Sequence, residues 1–375
     1  MSTFLHVKVC SSDPFERGRQ YGQQAKDLIH LGIRGYQRHF SKTLARSWEE
    51  ILEKSHLYLE LLERDFPDEL AEAQGIAAGS GAPLDAIMAL NCRYEILKLK
   101  HLPQEKECTS AAVLPEATGS GGTYLIKNWD YRPWVEQHVV VLEIDDTQGT
   151  RIVGLTEAGQ LMRDGMNNHG VSVCGNNLTS VFDTGEVGAP VTFVRRKALN
   201  CKTFAQAHDL IVQSPRGVSC NILVASSEGM AADLETTPGG VFSLLPEDGV
   251  VTHANHMVAG AKFCTNKGSK FRDGVLRRRL LAHHGRLDVS SMADCLKDHE
   301  MKPGWPTQYP ESDCLEAVCS HEPYGDGDPD KTWKTIASAI YDLNGKKAYI
   351  CKAQSRVAQP LAAEGRELVW SLNRS

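Results

Sequence analysis

A cysteine at the start of one predicted strand and an aspartate at the end of the next are the residues best suited to chemistry. The chain reads KECTS around Cys108, a Gly/Ser turn follows, and the next strand ends in NWD at Asp130. A thiol at this place can attack the carbonyl carbon of the preceding Glu107, giving a thioester that water resolves into two chains. Cys108 then has a free α-amine, with an unperturbed pKa of about 7.7–8.0, that can take the thiol's own proton. Such a nucleophile needs an oxyanion hole but no histidine.

Composition and charge argue against several other classes of function. The chain has 375 residues, a formal net charge of −6 and 41% hydrophobic residues, which fits a folded globular protein with no basic face for nucleic acid. No apolar stretch approaches the roughly 18 residues of a membrane span, and no secretory signal is visible at the N-terminus. The 11 cysteines are odd in number and form no Cys-x-x-Cys pair. We therefore expect reduced thiols in a cytoplasmic protein that has no metal site and no nucleic-acid or membrane partner.

The order of predicted elements favours an α+β fold. Residues 1–105 have a helical pattern, with a capping box from Ser47 to Glu50. From Thr109 onward short β-rich runs are separated by turns and interrupted by two helical blocks, and Asn344-Gly345 predicts a hairpin. Because strands do not alternate one-for-one with helices, we expect antiparallel sheets packed on each other and covered by helices.

Eight short blocks of residues are spread over nearly the whole chain. They are Phe15–Gly18 with Gly22, Gln74–Ala77, Leu90–Arg93, Cys108–Ser110, Asn128–Asp130, Thr156–Gly159, Asn167 with Gly170, and His253–His256. In order and spacing these blocks resemble the acyl-coenzyme A:6-aminopenicillanic acid acyltransferase family. The insect β-alanyl-dopamine hydrolases belong to that family, and choloylglycine hydrolases and penicillin V acylases share its N-terminal-nucleophile design more distantly.

The resemblance implies a four-layer αββα N-terminal-nucleophile hydrolase fold, preceded by a helical segment. Cleavage between Glu107 and Cys108 would give chains 1–107 and 108–375 that stay associated. By similarity Cys108 is the nucleophile, Asp130 positions its amine and thiol, and Asn255 is the oxyanion donor. Four residues beside these are further candidates for the site: Thr109, Ser110, Lys127 and Asn128.

The sequence departs from the family pattern at two places. Glu107 stands before the cysteine, where the acyltransferase has glycine. Late in the chain the family has Ile-Cys-Arg, whereas this chain reads VCSH from Val318 to His321. The resemblance therefore predicts that the arginine's positive charge is missing, with His321 as a candidate to replace it. Lys127 occupies the position where bile-salt-hydrolase relatives carry an arginine, and it is expected to keep a positive charge near the nucleophile.

These features predict a self-processing cysteine amidohydrolase or acyltransferase. A small-molecule amide, either an N-acyl amine or an aminoacyl amine, would be cleaved through a Cys108 thioester, with the acyl group passed to water or to an amine. We expect no cofactor, and coenzyme A only as part of a thioester substrate. One alternative is an acyl-CoA-dependent N-acyltransferase of a β-lactam-like amine. Another is an unprocessed, inactive binding protein of the same fold.

Two other sets of residues have plainer interpretations. Arg195–Lys197 are interpreted as a solvated helix face in preference to a coenzyme A phosphate site. His253 and His256 are interpreted as structural histidines, since no acidic or cysteine partners cluster near them in the sequence. A papain-like pairing of a cysteine with either histidine stays an alternative, although no local signature of that class is present.

Overall fold

The structure is a computed structural model that describes most of the chain. The described residues are 4–98, 108–183, 185–266, 268–299, 317–320, 328, 330 and 332–352, together with the backbone of 368–371. Two of the predicted site residues, Glu107 and His321, lie outside these ranges. Among the described helices, none is long and apolar enough to cross a membrane.

One strand and seven helices form the first part of the described chain. They are β1 (Leu5–Cys10), α1 (Pro14–Gln24), α2 (Lys26–Leu44), α3 (Trp48–His56), α4 (Leu59–Asp65), α5 (Pro67–Ser80), α6 (Leu84–Asn91) and α7 (Arg93–Lys98). The capping box predicted at Ser47 is confirmed, because the Ser47 hydroxyl accepts from Glu50 N and the Glu50 carboxylate accepts from Ser47 N.

Two glycines in the resembled blocks let α1 and α5 pack backbone against backbone. A Cβ atom at Gly18 would lie 1.9 Å from Glu72 O, and one at Gly75 would lie 2.0 Å from Phe15 O. Any larger residue would therefore force the two helices apart. These glycines sit inside helices because close packing requires them.

The strands of two sheets and four further α-helices follow in the described chain. In chain order they are β2 (Thr109–Val113), β3 (Tyr124–Tyr131), β4 (Val139–Asp145), β5 (Arg151–Glu157), β6 (Asp164–Asn167), β7 (Val171–Asn177), α8 (Val191–Ala198), α9 (Phe204–Gln213), β8 (Cys220–Ser226), β9 (Met230–Thr237), β10 (Gly240–Leu244), β11 (Val250–His253), α10 (Lys270–Leu281), α11 (Val289–Leu296), β12 (Lys334–Asp342), β13 (Lys347–Lys352) and β14 (Leu368–Ser371). The predicted hairpin at Asn344-Gly345 is confirmed, since β12 and β13 pair antiparallel around it.

The first sheet has the strand order β1-β4-β5-β6-β7-β8-β9-β10, and the second sheet has the order β11-β2-β3-β12-β13-β14. Only β1 and β4 pair in parallel among the described strands. Strands β2 and β3 lie against β7 of the first sheet. Helices α8 and α9 cover the first sheet, and α10 and α11 cover the second. The predicted α+β, four-layer αββα fold is therefore confirmed.

The helices of the first part share a core with the two sheets. Ile29, Tyr36 and Phe40 of α2 belong to the same buried cluster as Val141 of β4 and Leu125 of β3. Helix α1 contacts β1, and α5 contacts α8. The first part of the chain is thus built into the fold, and separating it would expose a large part of the core to water.

Candidate active site

One buried guanidinium contacts four of the residues predicted for the site. Arg272 is 1% exposed, and its Nη1 lies 3.2 Å from Cys108 O and 3.1 Å from Asp130 Oδ2. Its Nη2 lies 2.8 Å from Asn255 Oδ1. Thr109 joins the group, because its Oγ1 lies 3.1 Å from the same Nη1. Arginine suits this place because its planar fork carries several donors in a fixed geometry.

Neighbouring strands of the second sheet bring these residues together. Cys108 directly precedes β2, Asp130 lies near the end of β3, and Asn255 follows β11. Since β11, β2 and β3 are adjacent in that order, all three residues meet at the same end of these strands. The first turn of α10 then places Arg272 at that end of the strands. Residues distant in sequence thus form one compact site.

Arg272 supplies a positive charge that was not expected from the sequence, since the charge of the family's late arginine was predicted to be missing. The substitution of the family's late arginine by VCSH led to that prediction, but a different segment supplies the charge. A signal was present in the sequence: Arg272 lies three and four residues before Val275 and Leu276, on the buried face of α10. An arginine in line with the apolar stripe of a helix indicates a buried partner.

Asp130 is held by bonds to both of its carboxylate oxygens. Thr335 Oγ1 donates to Asp130 Oδ1 at 2.6 Å, and Arg272 donates to Oδ2. Burial raises the pKa of the Asp130 carboxyl, and the Arg272 guanidinium opposes that rise. Because Thr109 pairs with Asn128 across β2 and β3, Asp130 reaches past the N-terminal end of β2. It therefore lies at the level where a new α-amine of Cys108 would form.

Cys108 is buried and has an unusual backbone conformation. Its φ of 48° lies in the left-handed region, which costs energy for a residue with a Cβ atom. The residue belongs to the large buried cluster that also includes Trp129 and Ala112. The nucleophile candidate is therefore a strained residue in a largely water-excluded place.

Lys127 brings a second positive charge near the candidate nucleophile, Cys108. Its Nζ donates to Asp164 Oδ2 and to Gly175 O, both at 2.7 Å. Burial lowers the pKa of Lys127, but the Asp164 carboxylate first, and then Cys108 in its thiolate form, outweigh burial and leave the pKa raised. Arg195 Nη1 also donates to Asp164, at 3.1 Å. Two cations, Lys127 and Arg195, thus share the carboxylate of Asp164.

Ser110 and Asn128, the other predicted candidates, lie near the site but have different partners. Ser110 Oγ accepts from Asn176 Nδ2 at 2.7 Å. Asn128 Nδ2 donates to Leu296 O at 2.7 Å and to Val318 O at 2.9 Å. Asn128 therefore ties β3 to the outer helical layer, and Ser110 ties β2 to the first sheet.

His253 and its carboxylate partners support the loop that carries Asn255. His253 Nε2 lies 3.1 Å from Glu235 Oε1, and Nδ1 lies 2.8 Å from Ala254 O. Burial lowers the pKa of His253, but Asp233 and Glu235 outweigh it and raise the pKa to about 9. Glu235 Oε2 also accepts from Gly260 N at 2.7 Å. With both ring nitrogens engaged in this way, His253 is a structural ion-pair partner and not a papain-like base.

His256 does not complete a metal site. Its Nδ1 lies 2.9 Å from Ser269 Oγ, and burial is the main cause that lowers its pKa to about 4. No group of three or more His, Cys, Asp or Glu side chains among the described residues is arranged to hold a metal ion.

The interpretation of Arg195–Lys197 as a solvated helix face was wrong. Arg195 and Arg196 are buried, and Arg196 binds Glu72 with its Nε at 3.1 Å and its Nη2 at 2.8 Å. Lys197 Nζ donates to Asp65 O at 2.5 Å. Internal partners therefore occupy the three cations, for which a coenzyme A phosphate site was the less favoured interpretation.

Comparison with known proteins finds that the chain is similar to several enzymes. It is 25% identical over 256 residues to the 40 kDa form of acyl-coenzyme A:6-aminopenicillanic-acid-acyltransferase from Emericella nidulans, covering 67% of this chain and 69% of that protein. Among solved structures it is similar to the Caenorhabditis elegans ortholog of N-acylethanolamine-hydrolyzing acid amidase, with 16% identity, a TM-score of 0.45, and coverage of 71% of this chain and 100% of that one. A mutant conjugated bile acid hydrolase from Clostridium perfringens has 10% identity, a TM-score of 0.43, and coverage of 71% and 92%.

A family model gives the decisive match. The model for acyl-coenzyme A:6-aminopenicillanic acid acyl-transferase matches residues 117–357, which is 241 of the 375 residues. The match begins after Cys108, so it covers Asp130, Asn255 and Arg272 but not the predicted nucleophile. The prediction of an enzyme of the amidohydrolase or acyltransferase class with an N-terminal-nucleophile fold is confirmed. This chain belongs to the acyl-coenzyme A:6-aminopenicillanic acid acyl-transferase family.

Proposed function

We propose that this protein is a self-processing cysteine amidohydrolase. It cuts its own chain between Glu107 and Cys108 and then hydrolyses a small-molecule amide, an N-acyl amine or an aminoacyl amine, through a thioester on Cys108. The observation that carries the proposal is the position of Arg272, which bonds Cys108 O, Asp130 and Asn255 at once. The three residues that the chemistry needs therefore share one support.

Self-processing proceeds by transfer of an acyl group from nitrogen to sulfur. The Cys108 thiolate attacks the carbonyl carbon of Glu107, a C–S bond forms, and the C–N bond between the two residues breaks. The released nitrogen takes up the thiol's proton and becomes the α-amine of Cys108. Water then hydrolyses the thioester, which returns the thiol and leaves a new α-carboxylate on Glu107. In this proposal Asp130 binds the new ammonium.

Substrate turnover repeats the same chemistry on another amide. The α-amine accepts the thiol's proton, and the thiolate, stabilised by Lys127, attacks the substrate's carbonyl carbon. Asn255 Nδ2 donates to the developing oxyanion, and Arg272 fixes the amide's orientation because a guanidinium can only donate to Oδ1. The ammonium returns its proton to the leaving amine, and water finally resolves the thioester.

We propose water as the acyl acceptor and no cofactor. The cations of Arg195–Lys197, the less favoured candidate for a coenzyme A phosphate site, are engaged with Asp164, Glu72 and Asp65, which supports hydrolysis over transfer from coenzyme A. A coenzyme A thioester is then at most an alternative acyl donor.

None of the ten cysteines that the structure describes is in a disulfide, in keeping with work in a reducing compartment such as the cytoplasm.

The proposal predicts an acylated cysteine during turnover. Incubation with a series of p-nitroanilides that differ in their acyl group, followed by acid quenching and peptide mapping, should show one acyl mass on the peptide that begins with Cys108. p-Nitroaniline should be released in a burst that matches the amount of enzyme, because covalent catalysis splits the reaction into two steps.

Cys220→Ala is the control variant, because it removes another buried thiol and should leave the burst unchanged. Transfer to an added amine would appear as an acylated amine in place of the free acid. Turnover without any adduct, retained by Cys108→Ala, contradicts the proposal.

A further inference from the structure

The polar residues of helix α7 form hydrogen bonds with residues that follow the proposed cleavage site. Arg93 donates to Glu157 Oε1 at 2.7 Å and to Tyr131 OH at 3.0 Å. Glu95 Oε1 accepts from Val191 N at 2.8 Å. The helix is also the last described element before Cys108. It therefore belongs to the first chain by sequence but to the second chain by its contacts.

The Tyr94 hydroxyl is the member of this set that points to the site. It donates to Asn177 Oδ1 at 2.7 Å and lies 2.8 Å from Ser219 O, while Leu178 N donates to it at 3.2 Å. The carbonyl oxygen of the same Asn177 accepts from Asn255 Nδ2 at 3.2 Å. Two hydrogen bonds thus connect α7 with the amide of Asn255.

Lys98, one turn further along α7, supports the same segment. Its Nζ donates to Ser219 O at 2.7 Å and also to Leu178 O. The carboxylate of Asp183 lies 3.8 Å from it. The ammonium also lies 4.4 Å from the ring centroid of Tyr94. Tyr94 and Lys98 therefore both hydrogen-bond to the segment of residues 177 and 178.

The loop that α7 holds is joined to the loop that carries Asn255. Residues 178–183 and 254–265, here called the paired loops, are linked by Val181 N to Phe263 O at 2.9 Å and by Thr265 N to Thr179 O at 3.2 Å. Ser180 and Cys264 form an antiparallel bridge between them. A displacement of one loop must therefore move the other.

We propose that Tyr94 is a positioning residue of the active site, which acts through Asn177 on Asn255. The inference rests on the proposed amidohydrolase function. It gives the first chain a catalytic use after cleavage: α7 stays as a fixed support for the paired loops, and the mature enzyme is incomplete without it. Donors to an oxyanion must be preorganised, so a small displacement of Asn255 raises the barrier of the chemical step more than it weakens substrate binding.

Tyr94→Phe tests the proposal because it removes only the hydroxyl and keeps the ring. The readouts are the fraction of chain cleaved before Cys108, and kcat and KM per cleaved molecule, counted by the burst of amine release. We expect kcat to fall by about 10-fold while KM changes by less than about twofold. A role in stability alone would lower the unfolding temperature and leave both constants per cleaved molecule unchanged.

Asn177→Ala is the second variant, since it removes the same hydrogen bond from the other side. It keeps the main-chain carbonyl that accepts from Asn255. If Tyr94 acts through Asn177, the double variant should lose no more kcat than either single variant. Losses that multiply in the double variant would contradict the proposal.

Tyr21→Phe is the matched control. The Tyr21 hydroxyl is also buried and has three partners, Glu157 O at 3.1 Å, Gln160 O at 3.3 Å and Gly159 N at 3.1 Å, but it does not contact the paired loops. It should lose stability and keep kcat. If wild type hydrolyses no amide, the proposed function itself fails. If wild type is active and Tyr94→Phe has the same kcat and KM, the function stands and this inference is overturned.

Discussion

Replacement of Arg272 by methionine should lower kcat by about 100-fold or more. The side chain is the common partner of Cys108, Asp130 and Asn255, so its loss frees three groups at once. The acid limb of the pH–activity profile should also move to higher pH. Burial already raises the pKa of Asp130 and Arg272 opposes this, so without the guanidinium the carboxyl ionises only at higher pH.

Two further variants separate this role from simple stability. Arg272→Lys keeps the charge but loses the planar fork, so it should show a smaller pH shift yet a clear loss of kcat. Added guanidinium ion at low millimolar concentration should restore part of the activity of Arg272→Met. Arg277→Met, on the same helix, removes bonds to Val250 O and Glu247 and should leave kcat unchanged. Full activity in folded Arg272→Met would refute the account of this residue.

Replacement of Asn255 by alanine should lower kcat by about 100- to 1,000-fold with little change in KM, the loss expected for one oxyanion donor. The side chain makes its bond to Arg272 through Oδ1 and its bond to Asn177 O through Nδ2. Asn255→Asp should be no better, because it places an acceptor where the oxyanion needs a donor.

The loss must be assigned to chemistry and not to folding. Melting temperature and the fraction of cleaved chain are therefore measured with kcat and KM. Asn168→Ala, which removes turn bonds to Arg151 N and Gly149 O, is the control for loss of a structural asparagine. A kcat of Asn255→Ala within about threefold of wild type would show that the oxyanion is bound elsewhere.

The sequence was sufficient to predict much of the fold because local signals are strong at its turns and caps. The box at Ser47 and the hairpin at Asn344-Gly345 are local features with a specific structural meaning. The order of strands within each sheet was beyond reach, since it depends on contacts between distant segments. Strands β2 and β3 are buried on both faces, so they carry no alternation that would tell which side chains face which layer.

The candidate site was also predicted from the sequence only in part. Cys108, Asp130 and Asn255 lie in recognisable blocks, and the structure brings all three to one guanidinium. Arg272 lies in no such block, and only its place on the buried face of α10 could have pointed to it. The burial of Arg195 and Arg196 was missed because their carboxylate partners, Asp164 and Glu72, are distant in sequence. The roles assigned to the predicted residues stay predictions until variants are measured.

Glu107 is the residue on which the self-processing step depends most. The family's acyltransferase has glycine at this position, so Glu107→Gly restores the family residue at the bond to be cut. This variant should be cleaved at least as fast as wild type, since it removes a bulky charged side chain from the scissile position. Cleavage of Glu107→Gly but not of wild type would mean that this chain is made as an unprocessed protein.

The most direct test of the account is the intact mass and N-terminal sequence of the purified protein, with wild type and Cys108→Ala side by side. Wild type should consist of two associated chains, the second beginning Cys-Thr-Ser at Cys108. Cys108→Ala should remain a single chain of 41.3 kDa without amidase activity. An uncut, inactive wild type would favour a binding protein of the same fold. An uncut wild type that hydrolyses amides, with full activity in Cys108→Ala, would contradict the account altogether.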